Sequence, residues 1–239
     1  MVNSVEPYFR VSACEFMPTG FYPGMEMNKN YLSIVSHYEA CLEKYGDTHL
    51  GVDWPNKQDA DKRHGVMLDV IKRDTAGRIQ LLDFGCGASH LYEYILENKL
   101  ENIEYSGLDL SEKFISLSRS KFPSNTYYCL DILEESGSLP CFDYIVINGV
   151  FTEKRDLSFD DMFALFRGMV KKIFDNSRVG IAFNVMSKQV DWEREDLFHV
   201  PFDLLAAFLT NEVSRHFEIR HDYGLYEYTV NVYRQPSRV

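Results

Sequence analysis

A short apolar run that ends in a glycine-rich turn places the strongest constraint on how this chain can fold. Residues 79–84 read Ile-Gln-Leu-Leu-Asp-Phe, and residues 85–89 continue as Gly-Cys-Gly-Ala-Ser. The run is too short for a helix, so it predicts a buried strand, and a helix is expected at 89–99. The two glycines permit a tight turn in which a ligand can approach the backbone closely. This order predicts a ligand-binding βα unit, although a GxG turn alone is a weak signal.

Strand and helix patterns alternate through the rest of the chain. Each further strand is a short apolar run, and the helices between them include one capped by Ser111 and a strongly amphipathic one capped by Ser158. The predicted strands after the first lie at 103–108, 126–130, 142–147, 179–185, 217–221 and 226–233. The last two are separated by only a few residues and are expected to pair antiparallel. The expected fold is therefore α/β, with a doubly wound, mostly parallel seven-stranded sheet and a C-terminal antiparallel hairpin.

The N-terminal third of the chain has a different pattern, without predicted strands. Residues 29–45 carry an apolar stripe at helical spacing that ends at Gly46, and a second helix is expected over 57–73. In doubly wound sheets, ligands bind outside the carboxyl ends of the strands. We therefore expect residues 1–75 to form a helical lid over that edge, and residues 76–239 to form the sheet domain.

Aspartates end two successive strands of the predicted sheet. Asp109 follows the second strand, 24 residues after Gly85, and Asp131 follows the third. A carboxylate at the first position can accept hydrogen bonds from both hydroxyls of a ribose. A carboxylate at the second can accept one from an exocyclic amine of adenine. Either aspartate alone is also typical of a helix cap or a turn, but two at consecutive strand ends after a GxG turn indicate a nucleoside site.

The motifs, taken in order, resemble those of class I S-adenosylmethionine-dependent methyltransferases, which have a Rossmann-like fold. The segments that carry the resemblance are LLDFGCGAS, YSGLDLS, CLDIL and FDYIVINGVF. The resemblance extends over about residues 79–234 and includes the closing hairpin. It implies that 76–239 form a Rossmann-like methyltransferase domain, that the lid lies on the acceptor side, and that S-adenosyl-L-methionine is the cofactor.

The resemblance also implies roles for individual residues. The turn from Gly85 to Gly87 would face the methionine part of the cofactor, Asp109 would hold the ribose, and Leu110 would pack on the adenine. Asp131 and the backbone of Ile132 would contact the adenine edge, while two residues after the fourth strand would lie near the transferable methyl. The predicted cofactor-binding residues are Asp83, Gly85, Cys86, Gly87, Asp109, Leu110, Asp131, Ile132, Asn148 and Gly149.

Two departures from related motifs narrow the expected chemistry. Ser89 stands where many members of the family carry a third glycine, a change that is widely tolerated. Positions 148–151 read Asn-Gly-Val-Phe and lack the Asn/Asp-Pro-Pro-aromatic motif of enzymes that methylate amide or exocyclic amine nitrogens. This slightly favours an oxygen over a nitrogen acceptor.

A nicotinamide dehydrogenase is the competing interpretation of the fold. Its glycine fingerprint requires glycine or alanine at the third position, where this chain has His90.

The acceptor side is less constrained by the sequence. His199, in a polar and aromatic segment after the fifth strand, is the preferred general base, and His221, Asp222, Glu153 and His64 are alternatives. A histidine at the surface or at a helix cap is the structural alternative for His199. The predicted substrate-binding residues are Trp54, Arg63 and Tyr31. Arg63 is expected to bind an anionic acceptor group through two hydrogen bonds, and Trp54 and Tyr31 have plain packing as their alternative.

Charge and composition limit the class of partner. The net charge is −11, which disfavours a nucleic acid, because binding a phosphate backbone requires an excess of basic residues. The chain has five cysteines without a CxxC pair, which indicates neither a disulfide framework nor a zinc site. The sequence contains no stretch of 18 apolar residues, so a membrane-spanning helix is not expected. The N-terminus does not resemble a signal peptide, so a cytoplasmic location is expected.

The sequence therefore predicts an enzyme that methylates an oxygen or nitrogen of a small molecule, and that acts as a monomer or homodimer. A sugar, a sugar nucleotide or a secondary metabolite is the expected acceptor. Two alternatives stay open: a non-catalytic module that keeps the cofactor-binding fold, and a methyltransferase that acts on protein or RNA.

Overall fold

The structure, a computed structural model, describes residues 31–72, 75, 77–134 and 139–236. Eight strands form one sheet in the order β3-β2-β1-β4-β5-β8-β7, and β6 pairs with the end of β5. The strands are β1 Ile79–Phe84, β2 Ile103–Asp109, β3 Thr126–Cys129, β4 Phe142–Ile147, β5 Ser177–Ser187, β6 His199–Val200, β7 His216–Arg220 and β8 Glu227–Tyr233. The first six are parallel where they pair, and β8 runs antiparallel to both β5 and β7.

Helices cover both faces of the sheet. They are α1 Leu32–Tyr45, α2 Lys57–Leu68, α3 His90–Glu97, α4 Glu112–Lys121, α5 Phe159–Asp175 and α6 Phe202–Glu212, with a 3-10 helix at His49–Val52. Neighbouring residues of one strand belong to different cores: Leu82 packs with residues of α5 and α6, and Leu81 packs with residues of α2, α3 and α4. Because successive side chains of a strand point to opposite faces, the sheet lies between two helical layers.

The expected α/β fold with its closing antiparallel hairpin is confirmed. The sheet has one strand more than the seven expected, because two residues before α6 pair with the end of β5. Ser111 and Ser158 cap α4 and α5 as predicted, since each hydroxyl accepts a hydrogen bond from an amide in the first turn. None of the helices in the described part of the chain combines the length and apolar composition needed to cross a bilayer.

The second helix is shorter than the apolar spacing indicates. It ends at Leu68, whereas the sequence predicts a helix to residue 73. Beyond it, the amides of Asp69, Val70 and Ile71 donate to carbonyls three residues earlier, and Val70 is fully buried. The chain thus continues in turns that keep an apolar contact with the core, so the helical spacing extends past the end of the helix.

Candidate functional site

A cavity of about 190 Å³ lies at the carboxyl ends of β1, β2, β3 and β4. Residues from α1, the 3-10 helix and α2 also line it, so the part of the predicted lid that the structure describes contributes to its wall. All ten predicted cofactor-binding residues line this cavity, as do Tyr31 and Trp54. The boundary between lid and sheet domain at residues 75 and 76 stays a prediction, and residues 1–30 lie outside the described part of the chain.

The glycine turn after β1 is held against the end of β2. The amides of Gly85 and Cys86 both donate to the carbonyl of Leu108, at 2.7 and 2.9 Å. Gly85 has a φ of +76°, and a Cβ placed there would lie 2.3 Å from Cγ2 of Val150. Both the backbone conformation and the close packing therefore require glycine at this position.

Ser89 adopts the left-handed backbone conformation, with a φ of +60°. This geometry explains why glycine is favoured at the same position in many related motifs. The side chain is fully buried, and its hydroxyl lies 2.9 Å from Oγ of Ser118 and 3.2 Å from the hydroxyl of Tyr127. These hydrogen bonds offset the unfavourable backbone conformation of a residue that carries a Cβ.

Asp109 lies at the end of β2 with its carboxylate oriented by two amides. Oδ2 accepts a hydrogen bond from the amide of Gly87, and Oδ1 accepts one from the amide of Ser111, both at 2.9 Å. Burial raises the pKa of this carboxyl group above its ordinary value. Each carboxylate oxygen has a further lone pair, so the group can still accept from a ligand in the cavity.

Asp83 is the more deeply perturbed carboxyl group of the site. It is buried at the end of β1, and the hydroxyl of Tyr105 donates to its Oδ2 at 2.8 Å. Burial raises the pKa of Asp83 to about 7; the hydrogen bond from Tyr105 opposes this shift, and the nearby charge of Asp109 adds to it. A cationic ligand beside Asp83 would stabilise its ionised form.

Asp131, which follows β3, bonds to the first described residue of the lid, Tyr31. Its Oδ1 accepts from the amide of Leu133 at 2.9 Å, and its Oδ2 accepts from the hydroxyl of Tyr31. Burial raises the pKa of Tyr31, and the hydrogen bond to Asp131 raises it further, so the hydroxyl stays protonated and donates. The hydrogen bond between Tyr31 and Asp131 holds this part of the lid at the edge of the cavity where the adenine is expected.

The turn after β4 contains an unpaired polar group. The side-chain amide of Asn148 is buried at the cavity wall, and neither its oxygen nor its nitrogen has a partner among the described residues. Unpaired buried polar atoms cost free energy unless a ligand or water satisfies them. Next to it, Gly149 has a φ of +84°, and a Cβ there would lie 3.5 Å from the ring of Trp54.

A buried polar chain behind this turn involves residues that the sequence analysis missed. The amide of Gly149 donates to Oδ1 of Asn184 at 2.8 Å, and Nδ2 of Asn184 donates to Oε1 of Glu227 at 2.9 Å. Nε of Arg63 lies 2.9 and 2.8 Å from the two oxygens of Glu227. The available signal was an asparagine inside the otherwise apolar run 179–185 of β5, and a glutamate at the start of β8.

Arg63 does not line the cavity, contrary to its predicted role in binding an acceptor. Its guanidinium lies behind Trp54, 5.5 Å from the ring centre, and is paired with Glu227. The tertiary structure therefore supplies Arg63 with a carboxylate partner from the other end of the chain.

His199 also lies outside the cavity lining. Its Nδ1 is 2.6 Å from the carbonyl oxygen of Ser187, and its Nε2 accepts from the amide of Arg194 at 3.2 Å. Both ring nitrogens are thus used in backbone hydrogen bonds of a neutral imidazole. This geometry does not favour the general-base role. Because His199 is buried in β6, it is also neither the surface histidine nor the helix cap that the sequence offered as its alternative.

Of the alternative bases, only His64 lines the cavity. It lies between Trp54 and Tyr94, at ring-centre distances of 5.2 and 5.6 Å. Burial lowers the pKa of His64 to about 3, so the imidazole is neutral at physiological pH. The others lie outside the lining: Glu153 pairs with Arg155, Asp222 pairs with Arg220, and His221 packs on Phe202 and Tyr228.

Three side chains of kinds that commonly bind metal ions lie close together, two on α1 and one at the end of the 3-10 helix. One atom each of His37, Cys41 and Asp53 lies within 4.8 Å of the others. Oδ2 of Asp53 already lies 2.7 Å from Nε2 of His37, and the guanidinium of Arg155 lies 3.8 Å from the same carboxylate oxygen. A neighbouring cation opposes binding of a metal ion here.

The fold and the site together define a class: a Rossmann-like domain with a cavity at the carboxyl ends of its parallel strands. Residues 82–177 match the model of a methyltransferase domain family. A protein of Mycobacterium tuberculosis (strain ATCC 25618 / H37Rv) that is named as a methyltransferase is 24% identical over 164 residues, which are 66% of this chain and 95% of that protein. The malonyl-[acyl-carrier protein] O-methyltransferase of Acetivibrio thermocellus is 28% identical over 98 residues, 40% of this chain and 34% of that protein.

Solved structures show the same fold. Magnesium protoporphyrin IX methyltransferase from Synechocystis PCC 6803, crystallised with S-adenosylmethionine, has a TM-score of 0.58 at 12% identity, covering 90% of this chain and 100% of that one. A plantazolicin methyltransferase has a TM-score of 0.56 at 12% identity, covering 85% and 99%. The resemblance inferred from the motifs is confirmed: residues 82–177 match a methyltransferase-domain model, and the chain has the fold of S-adenosylmethionine-dependent methyltransferases.

Proposed function

We propose that this protein transfers a methyl group from S-adenosylmethionine to an oxygen, or alternatively a nitrogen, of a small-molecule acceptor. The observation that carries the proposal is the single cavity that Asp83, Asp109, Asp131 and Asn148 share at the carboxyl ends of the parallel strands. The solved relatives support the cofactor, since the Synechocystis enzyme was crystallised with S-adenosylmethionine and with S-adenosylhomocysteine. The names of several relatives support a small-molecule acceptor.

The charge of the cavity fits this cofactor. S-adenosylmethionine carries a sulfonium, an ammonium and a carboxylate, and is therefore a net cation. The charged residue types that line the cavity, among the described residues, are three aspartates, and neither lysine nor arginine is present. Such a cavity attracts a cation and binds the product S-adenosylhomocysteine, which has lost the sulfonium charge, less strongly.

Individual residues have the donors and acceptors that the proposal requires. We assign the ribose hydroxyls to Asp109, whose carboxylate is fixed by two amides and keeps free lone pairs. The unpaired amide of Asn148 can both donate to and accept from the amino-acid part of the cofactor. The cofactor supplies an electrophilic methyl group, and the protein's contribution is to align the acceptor with it and to exclude water.

Calorimetric titration tests the proposal directly. S-adenosylmethionine should bind the wild-type protein, NADH should not, and Asp109→Ala should weaken binding about 30-fold or more, because two hydrogen bonds to a charged group are lost. Asp156→Ala, an exposed aspartate outside the cavity lining, is the matched control and should bind like the wild type. Unchanged affinity in Asp109→Ala would contradict the site assignment.

An acceptor screen then tests the reaction. Sugars, sugar nucleotides, phenols and other secondary metabolites are incubated with the protein and the methyl donor, and formation of S-adenosylhomocysteine is measured. Turnover with any of them establishes a small-molecule methyltransferase. Tight binding of the donor without turnover on small molecules, proteins or RNA would favour the alternative of a non-catalytic module.

A further inference from the structure

We propose that the acceptor side of the cavity takes an uncharged, largely apolar molecule, and that Glu227 enforces this choice by neutralising Arg63. The inference rests on the proposed methyltransferase function and narrows its acceptor. It favours phenol-like secondary metabolites over sugar nucleotides, whose diphosphate is anionic.

The lid side of the cavity, as far as it is described, consists of apolar and uncharged side chains. Its residues are Tyr31, Ile34, Val35, Tyr38, Val52, Trp54 and His64. The aromatic ring of Trp54 lies over the turn after β4, where the transferable methyl is expected. A flat apolar acceptor that packs on this ring would lie next to the methyl.

His64 contributes a polar group without a charge. Its side chain is 4% exposed, and its Nδ1 has no hydrogen-bond partner among the described residues. Because burial holds the pKa of the imidazole at about 3, the ring is neutral and does not attract an anion. A neutral imidazole suits an acceptor that carries a hydroxyl.

The guanidinium of Arg63 lies 5.5 Å from the centre of the Trp54 ring, and its charge is already compensated. Glu227 is 2% exposed, its two oxygens lie within 2.9 Å of Nε of Arg63, and Asn184 donates to one of them. An anionic acceptor on the other side of Trp54 would compete with a carboxylate that is buried and hydrogen-bonded. The anionic acceptor would lose its hydration on entering the cavity without gaining a cationic partner there.

Other cations near the rim are paired in the same way. Lys121 lies 2.8 Å from both Asp47 and Glu93, and Arg155 lies 2.8 Å from Glu153. The interior of the cavity adds only the negative charge of its aspartates. Among the described residues, the electrostatic potential in and around the cavity therefore opposes carboxylates and phosphates.

Two fluorescent probes with nearly the same rings test this inference: uncharged N-phenyl-1-naphthylamine and anionic 1-anilinonaphthalene-8-sulfonate. Both are titrated into wild-type protein saturated with S-adenosylhomocysteine. The uncharged probe should bind at least about tenfold more tightly than the sulfonate, because the sulfonate charge is desolvated without a partner. Trp54→Ala should weaken binding of the uncharged probe, whereas Trp192→Ala, at a residue 71% exposed, should not.

Removing the carboxylate tests the role of Glu227. Glu227→Gln leaves Arg63 uncompensated and should raise the affinity for the sulfonate about tenfold, and the double variant Arg63→Gln/Glu227→Gln should lose this gain. Thermal unfolding shows whether each variant is folded, and the comparison of the two probes on the wild type does not depend on the variants.

Equal or tighter binding of the sulfonate by the wild type would overturn the inference, and so would binding of neither probe. Failure of the proposed function is distinguishable, because it appears as absent binding of S-adenosylmethionine in the calorimetric titration.

Discussion

Replacement of the buried Asp83 by asparagine distinguishes two contributions to stability: the cost of burying the ionised carboxylate, and the packing of the side chain. Asparagine has nearly the same shape and can still accept the hydrogen bond from the hydroxyl of Tyr105. It does not ionise, and it removes the repulsion between Asp83 and the carboxylate of Asp109. Any pH dependence that the variant lacks is therefore due to ionisation at this position.

The expected magnitude follows from the pKa of the carboxyl group in the two states. It is about 7 in the folded protein and 3.8 ordinarily, so the folded state binds the proton more tightly. Stability from this group is fully present below the lower pKa and is lost as the pH rises through the higher one. Between pH 5 and pH 8 the loss amounts to about 2–3 kcal/mol in the free energy of unfolding.

Urea denaturation of wild type and Asp83→Asn at pH 5 and at pH 8 measures this difference. The free energy of unfolding of the wild type should fall relative to that of the variant by about 2–3 kcal/mol between the two pH values. The other titrating groups are common to both proteins and cancel in the comparison, apart from Asp109, which no longer faces a charge at position 83. A pH dependence that is parallel in the two proteins would refute the reasoning.

The same ionisation should appear in cofactor binding. A cation in the cavity stabilises the ionised form of Asp83, so the affinity of the wild type for S-adenosylmethionine should rise as the pH increases through 7. Calorimetry at several pH values should show a flatter profile for Asp83→Asn. An equal slope in both proteins would place the positive charge of the cofactor away from this carboxylate.

Further substitutions in and near the site can be tested by urea denaturation. Gly85→Ala should destabilise the fold by about 2–4 kcal/mol, and Val150→Ala should recover the steric part. Ser89→Ala, which keeps the positive φ but loses two hydrogen bonds, should cost about 1–2 kcal/mol, and Ser89→Gly should cost less. His199→Ala should cost about 2–3 kcal/mol while affinity for S-adenosylmethionine changes less than about twofold; a large loss of affinity would show that His199 acts at the cavity.

Local patterns in the sequence were sufficient to predict seven of the eight strands and the closing hairpin. Together with the family resemblance, they predicted ten residues that line the cavity. Short apolar runs followed by glycine or aspartate describe buried strands whose carboxyl ends meet at one edge, so the motif residues converge there without knowledge of distant contacts. Helix caps are equally local, and both Ser111 and Ser158 act as predicted. The length of α2 was overestimated because its apolar spacing continues into buried turns.

The environment of each side chain outside the motifs was decided by the tertiary structure. From the sequence alone, Arg63 was predicted to be a cation available to a ligand. In the folded chain its guanidinium pairs with Glu227, which is 164 residues away. His199 reads as a base until β6 pairs with β5 and both ring nitrogens bond to the backbone. The sequence determined which residues can form a cofactor cavity, because strand periodicity and glycine turns act over a few residues. Only the folded chain decided which charges remain free to act, because ion pairs and buried hydrogen bonds depend on partners that are distant in sequence.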